Sequence, residues 1–187
     1  MTDNIELNPV SVIVADAVGQ PGQRVFYMQA RQGLTTVTIE TEKEQIRALA
    51  MGIHQFLEDL SHRFPDRATL DRVDPHDLVL TPPFEPEFKV AQLGLGYDAD
   101  TDHVVIVAQA LATDPETEEP AEEEPEESKG PVARFWITRG QAKAMADHAL
   151  EIVAQGRPLC PLCGRPINPD GHFCPKRNGH TTDLVVA

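Results

Sequence analysis

The chain has 187 residues, 41% of them hydrophobic, which is enough for one core and a small appendix. Sixteen lysines and arginines against thirty acidic residues leave a formal net charge of -14. That balance disfavours a wholesale nucleic-acid coat, because phosphate binding needs clustered positive charge, and leaves room for a local basic patch. Residues 1–6 carry no basic stretch leading into an apolar run, and nothing approaches the ~18 apolar residues of a membrane span, so a cytoplasmic protein is expected.

In chain order, residues 11–18 read as a strand, followed by turn chemistry at Gly19-Gln20-Pro21-Gly22. Residues 24–31 alternate as a second strand, Gln32-Gly33 is a tight turn, and the β-branched run 35–41 is a third. Thr41, with Glu44 three residues on, predicts a helix start. Ile46, Leu49, Ala50, Ile53, Leu57, Leu60 and Phe64 then form one helical stripe that Pro65 ends. Residues 65–87 are rich in Pro and Asp and predict a long ordered crossing loop with a short turn near Leu70. Strands are expected at 88–97 and 104–111 around an Asp-rich turn, and again at 131–138. Residues 141–155 form a helix with a stripe at Ala142, Met145, Ala149, Ile152 and Val153, stopped by Gly156 and Pro158.

The negative charge is concentrated. Residues 113–130 hold nine acidic residues against one lysine, eight of the fourteen net negative charges. With no aromatic residue and no aliphatic one beyond Ala121, the tract cannot offset its ordering entropy and is expected to be a disordered insertion. Around it the order reads β-β-β-α twice. Lys43–Ala50 aligns with Arg139–Ala146 at a constant offset of 96, and residues 25–30 and 105–110 both end in Gln-Ala. Two amphipathic helix starts can agree by chance, but strand order agrees too, which favours duplication.

Three cysteines fall within fifteen positions of one another near the C-terminus. Cys160, Cys163, Cys174 and His180 spell C-x2-C-x10-C-x5-H, a spacing that converges soft donors on one ion, with Gly164 freeing the backbone to turn. Thiolates and an imidazole in four filled positions suit a structural zinc. Cys160 and Cys163 alone would also fit a redox pair, but the βαβ context for that is missing. His172 is the alternative fourth ligand; His180 is preferred because it leaves more loop room after Cys174. The 31 residues from Arg157 onward hold too few large apolar groups to fold without metal. Arg165, Lys176 and Arg177 make this module basic and are candidate phosphate or nucleic-acid contacts, against the plainer reading of solvated charges or a contact with the acidic tract.

Elsewhere the chemistry is sparse. There is no Walker loop, dinucleotide fingerprint or G-x-S-x-G. His54, Glu58 and His62 share a helix face that could serve acid–base chemistry or a second metal, although a solvated polar face is commoner. Asp74, His76 and Asp77 cluster in the crossing loop, where caps and turns explain them as well as function does.

The run from Cys160 to His180, the helix 41–60 and the strand Gln92-Leu-Gly-Leu-Gly-Tyr97 resemble an uncharacterised actinobacterial family, the domain of unknown function 3090. The resemblance covers nearly the whole chain, the acidic tract least. It implies a cytoplasmic actinobacterial protein whose gene neighbours include a phosphatidylinositol-kinase-like and a histidine-phosphatase-like protein. It carries over no catalytic residue.

The expected architecture is α+β: a body over 1–156 made of two β-β-β-α units as a pseudo-repeat, an antiparallel sheet with helices on one face, then a zinc-binding module over 157–187. The expected function is a zinc-containing interaction or adaptor protein whose acidic tract serves a basic protein partner. Two alternatives stand beside it. One is an enzyme acting on a phosphorylated or nucleotide substrate in a cleft between the units, with Arg63, Arg67, His76 and Arg134 nearby. The other is nucleic-acid binding through the basic module.

Overall fold

Strand β1 (Ile5–Leu7) is followed by β2 (Val12–Val18), β3 (Val25–Gln32) and β4 (Thr35–Thr41), then the long helix α1 (Lys43–Arg63). The second half supplies β5 (Val90–Asp98), β6 (His103–Ala110), β7 (Val132–Ile137) and α2 (Arg139–Ala154), and a short α3 (Pro175–Asn178) lies in the C-terminal segment. The computed structural model describes residues 4–67, 70–110, 130–156, 160–167 and 171–178. The expected acidic insertion, apart from Gly130, lies outside the described residues, as does His180.

The strands make two sheets, not one. β2-β3-β4 is an antiparallel meander, and β5, β6 and β7 form a second antiparallel meander. β1 extends the second sheet by pairing parallel to β7, with Ile5 opposite Ala133 and Leu7 opposite Phe135. The expectation of a purely antiparallel sheet is corrected on both points. β1 is three residues long, too short for any alternation to be read from it.

β6 and β7 bury alternate side chains, while β2, β3 and β4 are buried on both faces over their central residues. Val104, Ile106, Ala108, Ala133, Phe135 and Ile137 point into the core from β6 and β7, as Met28, Ala30 and Ile39 do from β3 and β4. The helices contribute Ile46, Leu49, Ala50, Ile53 and Leu60 from α1, and Ala142, Met145, Ala146 and Ala149 from α2. The small residues on α2 let the helices approach one another closely. α1 packs against α2 and β5, while α2 packs against α1 and β2, so each helix also meets the first strand of the other sheet.

The helix starts are built alike. Gln45 Oε1 accepts from the Glu42 N–H at 2.9 Å, and Gln141 Oε1 accepts from the Thr138 N–H at 2.9 Å. Gln45 Nε2 donates to the carbonyls of Val90 and Ala91 at the start of β5; Gln141 Nε2 donates to those of Val10 and Ser11 at the start of β2. The first helix therefore begins one residue later than expected, with Glu42 as the cap. Thr41 belongs to β4, its hydroxyl donating to Phe26 O at 3.3 Å.

The crossing loop is ordered by specific contacts. It holds 3-10 turns at Pro65–Arg67 and Pro75–Asp77, and then covers the outer face of the first sheet. There Gln29, which is buried, exchanges two 2.9 Å hydrogen bonds with the backbone of Thr81, and Phe84 stacks on Tyr27. Glu87 N–H to Thr38 O and Glu40 N–H to Phe88 O tie the approach to β5 onto β4.

Candidate metal centre and the interhelical network

Cys160 opens a tight turn in which Gly164 N–H donates to Cys160 O and Cys160 N–H to Arg165 O, each at 2.8 Å. Gly164 has φ +73° and Gly171 φ +93°, left-handed values that glycine adopts without strain, so both bends come cheaply. The turn and the segment at 171–174 bring Cys160, Cys163, His172 and Cys174 together, with one donor atom from each within 4.8 Å of all the others. Cys160 Sγ is 3.9 Å from Cys174 Sγ, and Cys163 Sγ is 3.2 Å from His172 Nε2. A tetrahedral ion with Zn–S about 2.3 Å and Zn–N about 2.0 Å sets those separations at about 3.8 Å and 3.5 Å. Cys160 and Cys174 are buried, so water does not compete for the sulfurs.

The local electrostatics fit a thiolate site. The backbone amides of Cys163 and Leu162 point at Cys160 and hold its thiol below the ordinary range. At Cys163 the Arg165 amide acts in the same direction, but burial and the neighbouring Cys160 and Cys174 sulfurs outweigh it and push the thiol up. Crowded sulfurs resist ionising together until a cation neutralises them. The donors thus fit a bound metal, and the residues that would hold it are Cys160, Cys163, Cys174 and His172. Three of the expected ligands are in the cluster. The fourth among the described residues is His172, the alternative donor, and His180 lies outside them.

The other sequence candidates are dispersed. Arg165 and Lys176 are exposed beside the cluster, together with Leu162 and Phe173, which are 51% and 71% exposed. The Arg177 side chain lies outside the described residues. Arg134 pairs with Glu6 at 3.2 Å, Arg63 lies over the Phe64 ring, and His76 N–H donates to Asp74 Oδ1, a cap on the second 3-10 turn. His62 is exposed on α1.

A second polar centre sits between the helices, and most of it escapes a sequence reading. Arg139, only 4% exposed, donates from Nε and Nη2 to Asp102 Oδ1 at 3.0 and 2.8 Å, and from Nη2 to Tyr97 Oη at 3.0 Å. Tyr97 also donates to Asp102, and Arg67 reaches the same group, 4.0 Å from Asp102 Oδ1. Burial alone would raise the Asp102 carboxyl, but the hydrogen bonds from Tyr97 and Arg139 and the two guanidinium charges hold it below its ordinary value. Beside this network His54, Glu58 and Ser61 of α1 face Arg139 and Lys143 of α2 across a cleft of about 220 Å³. His54 Nε2 lies 3.1 Å from Asp147 Oδ1, and Lys143 pairs with the same carboxylate. Asp71, from the crossing loop, accepts from Gly140 N–H at 2.9 Å and from the Thr138 hydroxyl at 2.7 Å, so that loop is fastened to the start of α2.

No helix among the described residues is long and apolar enough to cross a membrane. No curated protein and no solved structure matches the chain. One family model, described as Protein of unknown function (DUF3090), matches residues 5–174, a span that includes Cys160, Cys163, His172 and Cys174 and ends before His180. Covering both sheets, both long helices and the metal-type cluster, that match shows that the chain belongs to the DUF3090 family.

Proposed function

We propose that this is a cytoplasmic interaction protein whose C-terminal segment is folded by one structural zinc ion. The observation that carries the reading is the convergence of three sulfurs and one imidazole nitrogen within 4.8 Å, in a segment whose described residues otherwise bury little. Soft donors of this kind select zinc over the hard cations, and four filled positions leave no room for a substrate. Zinc neutralises the crowded sulfurs and fixes the turn, so that Leu162 and Phe173 face outward on a rigid support beside Arg165 and Lys176. An aliphatic and an aromatic side chain on such a support suit an apolar patch on a protein partner. The acidic tract, by its charge alone, suits a basic surface on the same partner. The kinase-like and phosphatase-like neighbours implied by the resemblance are the first partners to try.

Metal analysis of the purified chain is expected to find one zinc per molecule, lost on Cys163→Ser or Cys174→Ser. His172→Ala and His180→Ala tested side by side identify the fourth ligand, and His172 is the expected one. A chain that never holds stoichiometric metal, or that keeps it when both cysteines are replaced, overturns the reading. A Leu162→Glu, Phe173→Glu double variant should keep its zinc and lose the captured partner.

We also infer that the two β-β-β-α runs descend from one duplicated unit. Support comes from the offset of 96 that places Gln45 and Gln141 in the same role, each capping its own helix and bonding the start of the other sheet's first antiparallel strand.

A further inference from the structure

The cleft between α1 and α2 carries more charge than its structural contacts use. We propose that it binds a small phosphate monoester that also bears a hydroxyl or ammonium group. The floor is Arg139. Its Nε and Nη2 are taken by Asp102 and Tyr97, while among the described residues Nη1 has no hydrogen-bond partner, and this buried guanidinium lines the cleft. Arg67 shares Asp102 with it, so two guanidiniums lean on one carboxylate. At the wall, Lys143 and His54 lean on one carboxylate as well, that of Asp147. Arg139, Lys143 and His54 line the cleft, whereas the carboxylates that pair with them, Asp102 and Asp147, do not, so the basic groups are the ones presented to an anion.

Lys143 and Asp147 are each 46% exposed, and an exposed ion pair contributes little, so the ammonium can turn to a ligand at small cost. Glu58, exposed at the rim, is the one acid among the cleft-lining residues, and no ion pair engages it among the described residues. It would repel a bare anion and attract a donor on the far end of the ligand, which is why the class chosen carries one. The volume of about 220 Å³ suits a ligand of that size. Leu70 closes one side, and its neighbour Asp71, fastened to Gly140 and Thr138, keeps it there.

The test uses the full metal-loaded chain. Inorganic phosphate, phosphoethanolamine and acetate are titrated by calorimetry and by amide chemical shifts. Phosphoethanolamine is expected to bind most tightly, with saturable shifts at 54–61 and 139–143, and Lys143→Gln is expected to weaken it about tenfold, the loss of one charge-assisted contact. Lys143 and Glu58 are surface residues, so their variants should fold, which Arg139 variants need not do. Glu58→Gln should weaken phosphoethanolamine and spare inorganic phosphate. Absence of saturable shifts, shifts centred on Arg165 and Lys176, affinity unchanged by Lys143→Gln, or acetate binding as tightly as phosphate would each overturn the proposal.

Discussion

Gly140 and Gly52 both sit in helices, yet their replacement should have opposite effects. A Cβ on Gly140 would lie 2.2 Å from the backbone oxygen of Asp71 and 2.3 Å from its carboxylate, the same carboxylate that accepts from the Gly140 N–H. Gly140→Ala must therefore expel Asp71 and free the crossing loop from α2, a loss of about 2–3 kcal/mol by analogy with overpacked cores. A Cβ on Gly52 would meet only Leu95 Cδ1 at 3.6 Å, ordinary contact, so Gly52→Ala should stabilise α1 by roughly 0.5–1 kcal/mol. Urea unfolding of the two variants should separate them in sign. If both shift alike, close approach of the loop is not what requires Gly140. At this scale one signal in the sequence went unused. Arg139 is the first residue of α2, where a cation opposes the helix dipole, so its presence there calls for a compensating partner. Asp102 and Tyr97 supply it from 37 and 42 residues away, a separation no local pattern reveals.

Among the elements, those with strong periodicity were legible. The stripe Ile46, Leu49, Ala50, Ile53 and Leu60 is the buried face of α1, and the alternation of β6 and β7 is that of strands with one face in the core. What escaped depends on partners distant in sequence: the parallel pairing of β1 with β7, the division into two sheets, and the crossing loop's hold on Gln29 and Tyr27. The first helix cap was placed one residue early because Thr41-x-x-Glu44 mimics a capping box, while the residue used is Gln45, whose amide can accept from its own cap and donate to β5 at once. A carboxylate could do only the first. Gln45→Glu and Gln141→Glu should keep the cap, lose the donated bonds and cost about 1 kcal/mol each. If the two runs are copies, the losses should match within about 0.5 kcal/mol and add in the double variant, as independent sites do. Unequal losses, one near zero, would count against the two glutamines sharing an inherited role.

For the whole molecule, the question is whether the metal centre and the body stand or fall together. The continuous core runs through both sheets and both long helices, and among the described residues none beyond Val153 belongs to it. Among the described residues the C-terminal segment buries Cys160 and Cys174 but leaves Leu162 and Phe173 largely exposed, so little apolar burial there holds it together. The zinc proposed above would supply folding free energy on the order of 10 kcal/mol to a segment of this kind. Chelation should consequently act locally. Amide exchange protection at 160–167 and 171–178 should collapse when the ion is removed, while α1 and α2 keep theirs and the thermal midpoint of the body moves by no more than about 2–4 °C. Lowering the pH should reproduce the local loss before the body yields, because protons compete with the ion for thiolate and imidazole. The alternative is that the segment braces the core. Chelation would then unfold α1 and α2 with it in one transition, and the ion would have to be counted among the forces that hold the two sheets together.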